Sequence, residues 1–357
     1  MNKNAKIYVA GHTGLVGSAL VRELTRQGYS NLILKTHDQL DLTSQPDVEN
    51  FFEREKPDYV FLAAAKVGGI VANSTYPAEF IYQNLMITAN VIHAGYTFGV
   101  KKLLNLGSSC IYPKLAPQPL KEEYLLTGPL EPTNEAYAMA KISAIKLCRY
   151  YNEQYGTNFM SVMPTNLYGY NDNFNLETSH VLPALIRKMH LGKCLQVGDW
   201  DGIRADLKKR PIEGVSGSDS EEKIISVLAK DGIFRKLEKN DFRIIVTLWG
   251  TGSPRREFLH ADDLANACIF LMQTYNPRNI GEFVNIGTGK DLSIREIADL
   301  VTEVVEFSGF LTWDTSRPDG TPQKLLDVSR LDGLGWKSKQ SLKQGIEKVY
   351  DWYKSLA

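Results

Sequence analysis

Residues 11–17 of this chain read GHTGLVG, and they directly follow the apolar run IYVA. The next residues, LVGSALVRELTRQG, carry their apolar side chains at helical spacing. In a strand–turn–helix unit of this kind, Gly11 permits the tight turn, Gly14 lets a pyrophosphate approach the backbone, and Gly17 lets the helix pack closely on the strand. A purely structural glycine turn is the alternative. Because strand, glycines and helix occur in the required order, we predict a dinucleotide site here.

Strand-like and helix-like segments alternate through the first half of the chain. We predict strands in KIYVAG, NLILKT, DYVFLAAA, KKLLNLGSS and NFMSVMPTNLYG, with amphipathic helices between them. This alternation is typical of an α/β fold with a Rossmann-type, doubly wound parallel sheet. We expect the dinucleotide-binding domain to comprise residues 1–165 with about 257–285 and 325–345. A smaller C-terminal substrate-binding lobe would comprise 166–256 and 286–324.

The second half of the chain is less regular. REFLHADDLANACIFLM reads as a turn and a helix, EFVNIGTG as a strand and a loop, and SIREIADLVTEVV as a helix. Residues 199–247 form a charged insertion, in which we expect EGVSGSDSEE to be a mobile loop and EEKIISVLAKDG a short helix. This insertion is either a solvated excursion or a lid over the substrate site.

The charge balance limits the kinds of partner. The chain has 357 residues, with 41 Lys+Arg and 41 Asp+Glu, so its formal net charge is zero. Nucleic acids and anionic membranes select a basic excess, and we therefore expect neither as a partner. The four cysteines are too far apart for a zinc site or a disulfide framework, and we expect no metal. Signal-peptide patterns and apolar runs of membrane-spanning length are lacking, and we expect a cytoplasmic protein.

The stretch YAMAK places Tyr137 and Lys141 four residues apart, on one face of a predicted helix. Reduction of a ketone needs a proton donor for the carbonyl oxygen, and a free phenol with a pKa of about 10 is poorly matched to neutral pH. A lysine one turn away is expected to lower the pKa of the tyrosine and to hold the cofactor ribose. Alone, such a pair is common on solvated helices. Together with the glycine motif and with LGSSC upstream, it indicates catalysis.

The glycine spacing and the YAMAK pair resemble the short-chain dehydrogenase/reductase family in its extended form. Longer stretches over nearly the whole chain, apart from residues 199–247, resemble the GDP-L-fucose synthase family within it. They include LAAAKVGGIVANSTYPAEFIYQNL, LGSSCIYPK, SVMPTNLYGYNDNF, SHVLPALIRK, WGTGSPRREFLHADDLA and PDGTPQKLLDVSRL. The resemblance implies an enzyme that epimerises C3 and C5 of a GDP-linked 4-keto-6-deoxy sugar, GDP-4-keto-6-deoxy-D-mannose, and then reduces C4 with NADPH.

The resemblance also implies which residues carry the chemistry. The implied catalytic set is Ser108, Cys110, Tyr137, Lys141 and His180. The serine would contact the carbonyl oxygen, and Ser109 is the competing choice for it. Cys110 and His180 occupy the family's acid/base positions for epimerisation. Read from the residues alone, an inert buried thiol and a structural histidine are the alternatives.

Cofactor and substrate residues follow from the same resemblance. The implied cofactor-binding set is Gly11, Thr13, Gly14, Leu15, Val16, Gly17, Lys35, His37, Asp41, Leu42, Ala63, Ala64, Lys141, Pro164, Asn166, Leu167 and His180. Thr13 and His37 stand where the family often has arginines for the 2′-phosphate, and Lys35 is a nearby replacement. An acidic residue at the end of the second strand would indicate NAD(H), because it binds the ribose 2′-OH. The stretch NLILKTH has none before Asp38, so NADP(H) is favoured over NAD(H).

The implied substrate-binding set is Asn166, Lys188, Trp249, Arg256 and Lys324. Basic side chains suit a GDP pyrophosphate, and a tryptophan can stack or line the pocket. Lys188 replaces the family's arginine, which keeps the charge but loses bidentate geometry. A core position for Trp249 is the alternative, and the adjacent Arg255 competes with Arg256 for the binding role.

Three other functions and an oligomeric state complete the expectations. A close rival reduces a GDP-4-keto-6-deoxy-heptose, with or without epimerisation. A nucleotide-sugar 4,6-dehydratase carries Thr-Asp-Glu where this chain has SSC, and a non-catalytic dinucleotide-binding regulator would lose Tyr137 or Lys141. The family commonly forms homodimers through two helices, here about 80–98 and 136–155. Ile142, Ile145 and the aromatic pair Tyr150 and Tyr151 are compatible with such an interface.

Overall fold

The computed structural model describes residues 1–238, 241–317 and 319–355. From the N-terminus, its elements are β1 Ile7–Ala10, α1 Leu15–Arg26, β2 Leu32–Ile33, α2 Gln45–Glu55, β3 Tyr59–Leu62, α3 Ile70–Thr75, α4 Pro77–Thr97, β4 Lys102–Leu106, α5 Glu135–Tyr155, β5 Phe159–Pro164 and β6 Asn166–Tyr168. They continue with α6 Val181–Val197, α7 Trp200–Lys209, α8 Glu221–Lys230, β7 Ile233–Glu238, β8 Asp241–Trp249, β9 Arg255–His260, α9 Ala261–Thr274, α10 Pro277–Ile280, β10 Val284–Ile286, β11 Asp291–Ser293, α11 Ile294–Val305, β12 Phe310–Asp314, β13 Gln323–Lys324, α12 Ser329–Gly333 and α13 Leu342–Ser355.

The chain divides into two compact units, each built from segments that are distant in the sequence. The first unit comprises Met1–Asn171, Glu257–Lys290 and Lys324–Gln340. The second unit comprises Asp172–Arg256, Asp291–Gln323 and Ser341–Ala357. Among the residues that the structure describes, no helix has the length and apolar character needed to cross a membrane.

A parallel sheet forms the centre of the first unit. In the described chain it has six strands in the order β10-β5-β4-β3-β1-β2, with register pairs such as Ile7 opposite Tyr59 and Leu103 opposite Phe159. The strand order reverses between β1 and β3, and ligands of open α/β sheets bind outside the carboxyl ends of the strands at such a point. The prediction of a Rossmann-type α/β fold is confirmed.

Successive side chains of β1 pack on opposite faces of this sheet. Ile7 and Val9 belong to one buried apolar cluster, which includes residues of α1 and α9. Tyr8 and Ala10 belong to another, which includes residues of α2 and α4. Because successive side chains of a strand point to opposite faces, a strand that is covered on both faces reads as the continuous apolar run IYVA.

Two predicted elements differ from the structure. NFMSVMPTNLYG is two strands, β5 and β6. The last hydrogen bond of this stretch to the central sheet runs from the backbone N–H of Thr165 to the carbonyl oxygen of Ile286. The chain then leaves that sheet, and β6 pairs with another strand. REFLH was expected to be a turn, which is wrong, because Arg255–His260 forms β9. That strand pairs in parallel with β6, with Asn166 opposite Phe258.

The charged residues 199–247 are folded, so the expectation of a solvated excursion is wrong. They form α7, α8, β7 and β8, and the strands make a sheet with order β12-β8-β7 in the second unit. Ile203, Leu228 and Val246 are fully buried. The expected short helix is α8, and the glycine- and serine-rich stretch is a loop in which Arg204 Nη1 donates to the carbonyl oxygens of Gly217 and Asp219 at 2.7 and 2.8 Å.

A buried ion pair joins three helices of the second unit. The Arg187 guanidinium on α6 donates to Asp206 Oδ2 on α7 at 2.8 and 3.0 Å, and both side chains are almost completely buried. The guanidinium also donates to the carbonyl oxygen of Phe174 at 3.1 Å, and the Tyr353 hydroxyl on α13 donates to Asp206 Oδ1. The loss of either charge would leave the other one buried without a counter-charge, which is strongly destabilising.

The substitution Asp206→Asn is expected to lower the free energy of unfolding by about 3–5 kcal/mol, because it leaves the Arg187 charge buried without a counter-charge. The double variant Arg187→Met/Asp206→Leu removes both charges and should lose much less. Urea unfolding of the three proteins measures the difference. A loss below about 1 kcal/mol in Asp206→Asn would contradict this view of the ion pair.

Candidate active site

Contacts inside the protein leave no space for a side chain at Gly11 or Gly17, whereas they leave space for one at Gly14. Gly11 has a φ of +80°, and a Cβ there would lie 2.8 Å from backbone atoms of Ala64. A Cβ on Gly17 would lie 2.0 Å from the carbonyl oxygen of Gly11. At Gly14, where φ is −78°, the nearest atom to a Cβ would be the Gly11 oxygen at 3.6 Å. The open space at Gly14 leaves the backbone accessible, as a dinucleotide site requires.

Helix α1 begins beside this turn and presents its backbone N–H groups there. In the described structure no side chain caps its N-terminus, and its first turn has no acidic residue. The N-terminus of a helix attracts phosphate through these groups and through the helix dipole. Lys35 and His37 follow β2, which pairs in parallel with β1, and the side chain of His37 is 80% exposed. The residues of this edge therefore fit a dinucleotide.

The other cofactor candidates of the first unit lie in or after β5, β6 and other strands of this unit, or at the start of α1. Asp41 Oδ1 accepts hydrogen bonds from the backbone and hydroxyl of Thr43 at 2.9 and 2.7 Å, and these bonds lower the pKa of Asp41. Asn166 Nδ2 donates to the carbonyl oxygen of Glu257 at 2.8 Å. The remaining candidates are Thr13 in the glycine turn, Leu15 and Val16 at the start of α1, the buried Leu42 before α2, Ala63 and Ala64 after β3, Pro164 at the end of β5, and Leu167 in β6.

Ser108 and Cys110 lie immediately after β4, at its carboxyl end. The Ser108 hydroxyl accepts a hydrogen bond from the backbone N–H of Cys110 at 3.4 Å, which begins a short 3₁₀ helix at Ser109–Ile111. Ser109 is buried within that helix, whereas Ser108 is only partly buried. The partly buried Ser108 hydroxyl is thus the more accessible of the two serines.

Tyr137 and Lys141 lie one turn apart on α5, and the Lys141 ammonium is fastened to the sheet. Its Nζ donates to the carbonyl oxygen of Leu106 at 2.8 Å and lies 5.6 Å from the centroid of the Tyr137 ring. Burial lowers the pKa of Lys141 to about 8. Burial also raises the pKa of Tyr137, with a contribution from Cys110. The expectation of a lowered tyrosine pKa is therefore wrong for this structure, since desolvation penalises the charged phenolate.

Cys110 completes a group of interacting residues in the first unit. Burial raises the pKa of its thiol, while the charges of Lys324 and Lys141 and a hydrogen bond with Ser108 lower it. Tyr137 packs against the apolar cluster that contains Cys110. The structure therefore brings together the predicted residues Ser108, Cys110, Tyr137, Lys141 and Lys324.

The second unit contains most of the other predicted substrate residues. Trp249 is exposed on β8, and the guanidinium of Arg317 lies 4.9 Å from the centroid of its ring, so a core role for this tryptophan is wrong. Burial lowers the pKa of Arg256, and Asp319 opposes that shift. Asp319 also accepts a hydrogen bond from the backbone N–H of Thr251 at 2.8 Å. An exposed indole, two guanidinium groups and a carboxylate are thus available in this unit.

Lys188, Arg255 and His180 also belong to the second unit. The Lys188 ammonium donates to the carbonyl oxygen of Asp231 at 2.6 Å, and burial lowers its pKa. Arg255 forms an ion pair with Asp291 at 2.9 Å, which leaves the neighbouring Arg256 as the better candidate for a ligand contact. His180 is exposed at the N-cap of α6.

Sequence reasoning missed Glu257, Arg317 and Asp319. Arg317 directly precedes the PDGT stretch and Asp319 is its second residue. The interactions of these two residues with Trp249 and Arg256 depend on tertiary structure. Glu257 follows two arginines, a pattern that is typical of a solvated charged segment, yet its side chain is fully buried. The only signal in the sequence is the apolar FL that follows it within β9.

Comparisons with known proteins extend over the whole chain. A family model described as the NAD dependent epimerase/dehydratase family matches residues 7–206 and 221–287. GDP-L-fucose synthase 1 of Arabidopsis thaliana is 54% identical, over 99% of this chain and 94% of that protein. The crystal structure of a GDP-6-OMe-4-keto-L-xylo-heptose reductase from C. jejuni is similar with a TM-score of 0.92 at 45% identity, over 100% of this chain and 99% of that chain. MlghC, a GDP-mannoheptose C4 reductase from Campylobacter jejuni with NADP bound, has a TM-score of 0.87 at 45% identity over 99% of each chain.

The two glycines should respond differently to alanine. Gly17→Ala is expected to lower the free energy of unfolding by about 1–3 kcal/mol or more, because its Cβ would overlap the Gly11 oxygen. Gly14→Ala has room for its Cβ and should leave stability unchanged while raising the Kd for NADPH about tenfold or more, since the methyl group covers the backbone that a pyrophosphate approaches. Thermal unfolding and fluorescence titration with NADPH measure the two effects. Unchanged NADPH binding in Gly14→Ala would contradict a dinucleotide site at this turn.

Proposed function

The chain belongs to the GDP-L-fucose synthase group of the NAD dependent epimerase/dehydratase family, and from this we propose that it converts GDP-4-keto-6-deoxy-D-mannose to GDP-L-fucose. The reaction would be an epimerisation at C3 and C5 followed by reduction at C4. The observation that carries the proposal is the grouping of Ser108, Cys110, Tyr137 and Lys141 at the carboxyl end of β4. These groups are a hydroxyl, a thiol, a phenol and an ammonium, of which the thiol and the ammonium are buried and the other two partly buried.

For the reduction, the chain must hold a proton ready for the C4 oxygen. The nicotinamide, when bound, supplies hydride to C4. Burial raises the pKa of Tyr137, so its phenol is protonated at neutral pH. Although this makes the phenol a weaker acid, the developing alkoxide is a stronger base than a phenolate and would take the proton. The Ser108 hydroxyl would donate a hydrogen bond to the same oxygen, and the Lys141 charge would stabilise the phenolate that remains.

For the epimerisation, the chain must move protons at C3 and C5. The C–H bonds beside a ketone are acidic, because loss of either proton gives an enolate whose charge lies on the C4 oxygen. Tyr137 and Ser108 would stabilise that oxyanion by hydrogen bonding. We assign proton transfer to Cys110 and His180. The raised pKa of Cys110 favours the thiol form, which is the proton-donating form, at neutral pH.

We propose NADP(H) as the cofactor of this member of an NAD(P)-dependent family. Thr13, Lys35 and His37 follow the first two strands, and each is at least partly exposed. A lysine and a histidine are suitable partners for a 2′-phosphate. The NADP in the related MlghC structure supports the same assignment.

Reduction of a GDP-4-keto-6-deoxy-heptose is the second candidate function. The support for it is that two C. jejuni structures described as heptose-acting reductases are similar to the whole chain at 45% identity. An additional carbon at C6 requires pocket space and no new catalytic group, so the residues described above would serve either sugar.

We also propose a homodimer formed by an α4–α5 surface. This surface is defined by the exposed side chains of Tyr82, Tyr96, Met139, Tyr150 and Tyr155. Aromatic residues and methionine are enriched at such interfaces. Two of the residues expected to contribute do not, because Ile142 and Ile145 are buried in the core of the first unit.

The double variant Tyr82→Ser/Tyr150→Ser is expected to raise the dimer dissociation constant about tenfold or more, because it removes two aromatic contacts from the α4–α5 surface. Light scattering over a dilution series measures this constant. Leu115→Ser, which changes an exposed apolar residue outside the two helices, is the control and should leave it unchanged. Equal effects of the two variants would contradict the assignment of this surface.

The function is tested by an NMR experiment in D₂O with GDP-4-keto-6-deoxy-D-mannose and NADPH. We expect GDP-L-fucose that carries deuterium at C3 and C5, because both positions exchange with solvent through an enolate. Cys110→Ser should suppress this exchange by about 100-fold or more while the variant still reduces C4, since the loss of a positioned acid/base group removes a factor of about 10²–10⁴.

A C4-reduced product that retains its protons at C3 and C5 would overturn the epimerase assignment. Reduction of the heptose substrate would then be the leading function. If no NADPH is consumed with either sugar, the chain is a binding protein and the proposal fails.

A further inference from the structure

Glu257 is a fully buried carboxylate among backbone N–H groups of two loops in the first unit. Its Oε1 accepts hydrogen bonds from the backbone N–H groups of Thr288 and Gly289, the latter at 2.8 Å. Its Oε2 accepts a hydrogen bond from the backbone N–H of Leu326 at 3.0 Å. A Cβ at Gly287 would lie 2.2 Å from Oε1, so the first loop approaches the carboxylate at a residue without a side chain.

This arrangement requires a carboxylate. Both carboxylate oxygens face N–H donors, and only a carboxylate has a hydrogen-bond acceptor at each of these two positions. A glutamine would direct its NH₂ group at one of these donors and leave that N–H group buried and unpaired, which is costly. Burial raises the pKa of Glu257, whereas the three backbone N–H groups lower it.

The bond to Leu326 fixes a segment that reaches the candidate active site. The side chain of Leu326 is buried in the cluster that contains Cys110 and against which Tyr137 packs. The preceding residue, Leu325, is held on its other side, where its N–H group donates to Gln118 Oε1 at 2.9 Å. Lys324 precedes Leu325 and lies in β13, which pairs with β9, the strand that carries Glu257. Its backbone position is therefore set by this pairing together with the bonds to Leu325 and Leu326.

We propose that Glu257 is a positioning residue: by holding Leu326, it fixes Lys324 where the lysine ammonium acts on the Cys110 thiol. In this role Glu257 contacts neither substrate nor cofactor and acts through Lys324. The proposal deepens the proposed function and rests on it only for the role of Cys110 in proton transfer. The effect of Glu257 on the pKa of the thiol does not depend on that function.

The two ways in which Glu257 can influence Cys110 have opposite signs. Burial raises the pKa of the thiol, and Lys324 lowers it. If Glu257 acts by position, its replacement releases Lys324 and the pKa of the thiol rises. If it acts through its own negative charge, removal of that charge makes the thiol pKa fall.

The test is a pH titration of the Cys110 thiolate by its ultraviolet absorbance, taken as the difference from Cys110→Ser in each background. The thiol pKa is expected to rise in Glu257→Gln. Asp263→Asn is the matched control, because the buried Asp263 Oδ2 accepts backbone N–H groups of Lys339 and Gln340 at 3.1 and 3.0 Å. It should lose stability without moving the thiol pKa.

Two further variants keep the proposal testable if Glu257→Gln does not fold. Gln118→Leu releases the same segment from its other side and should raise the thiol pKa in the same direction. Lys324→Gln should also raise it, and Gln118→Leu or Glu257→Gln should then add nothing in that background. Additive shifts, a thiol pKa that falls or stays unchanged, or an equal rise in Asp263→Asn would overturn the proposal.

The catalytic consequence is measured separately. At saturating substrate, Glu257→Gln should slow deuterium exchange at C3 and C5 about tenfold or more, since it weakens an acid/base group. Asp263→Asn should not change this rate. If the wild-type protein shows no exchange, the proposed function fails, but the titration still decides whether Glu257 positions Lys324.

Discussion

A hydrogen bond from the Lys141 ammonium to the carbonyl oxygen of Leu106, at 2.8 Å, ties helix α5 to the end of strand β4. The lysine is buried, so breaking this bond would leave a polar group without water to replace its partner. Ser108 follows two residues after Leu106, and Tyr137 lies one turn before Lys141. The bond therefore sets the helix that carries the phenol against the strand end that carries the serine and the thiol.

Burial then determines the protonation states of these groups. It lowers the pKa of Lys141 to about 8 and raises the pKa values of Tyr137 and Cys110. Each shift favours the neutral form, because desolvation penalises charge. The phenol and the thiol consequently keep their protons, and a substrate oxyanion would meet donors. Lys324 opposes this trend at Cys110, which makes its position a determinant of the acid/base balance.

The local parts of the fold could be predicted from the sequence, and the long-range parts could not. The strand and helix around Gly11, Gly14 and Gly17 have a pattern that repeats within a few residues, and the structure accounts for each glycine by a contact or by open space. The charged residues 199–247 were misjudged because their apolar side chains are interspersed with charges and pack only in the second unit. The strand β9 was missed because its partner β6 lies about ninety residues earlier in the chain.

The site shows the same division. The types of residue at Ser108, Cys110, Tyr137 and Lys141 were readable from motifs, but the sign of the tyrosine pKa shift depends on how deeply the phenol is buried. The role of Glu257 could not be predicted from the sequence. It depends on hydrogen bonds from three backbone N–H groups, which belong to loops that are distant in the sequence. A charge beside two arginines indicates a solvated surface until the fold shows otherwise.

The most direct test of the proposed reduction follows the hydride. NADPH that carries deuterium at both positions of the nicotinamide C4 would be incubated with GDP-4-keto-6-deoxy-D-mannose and either the wild-type protein or Tyr137→Phe. We expect a product with deuterium at sugar C4 for the wild-type protein and no such product for the variant, which should still bind NADPH. Absence of deuterium at C4 from the wild-type product, or transfer at the wild-type rate by Tyr137→Phe, would contradict the proposal.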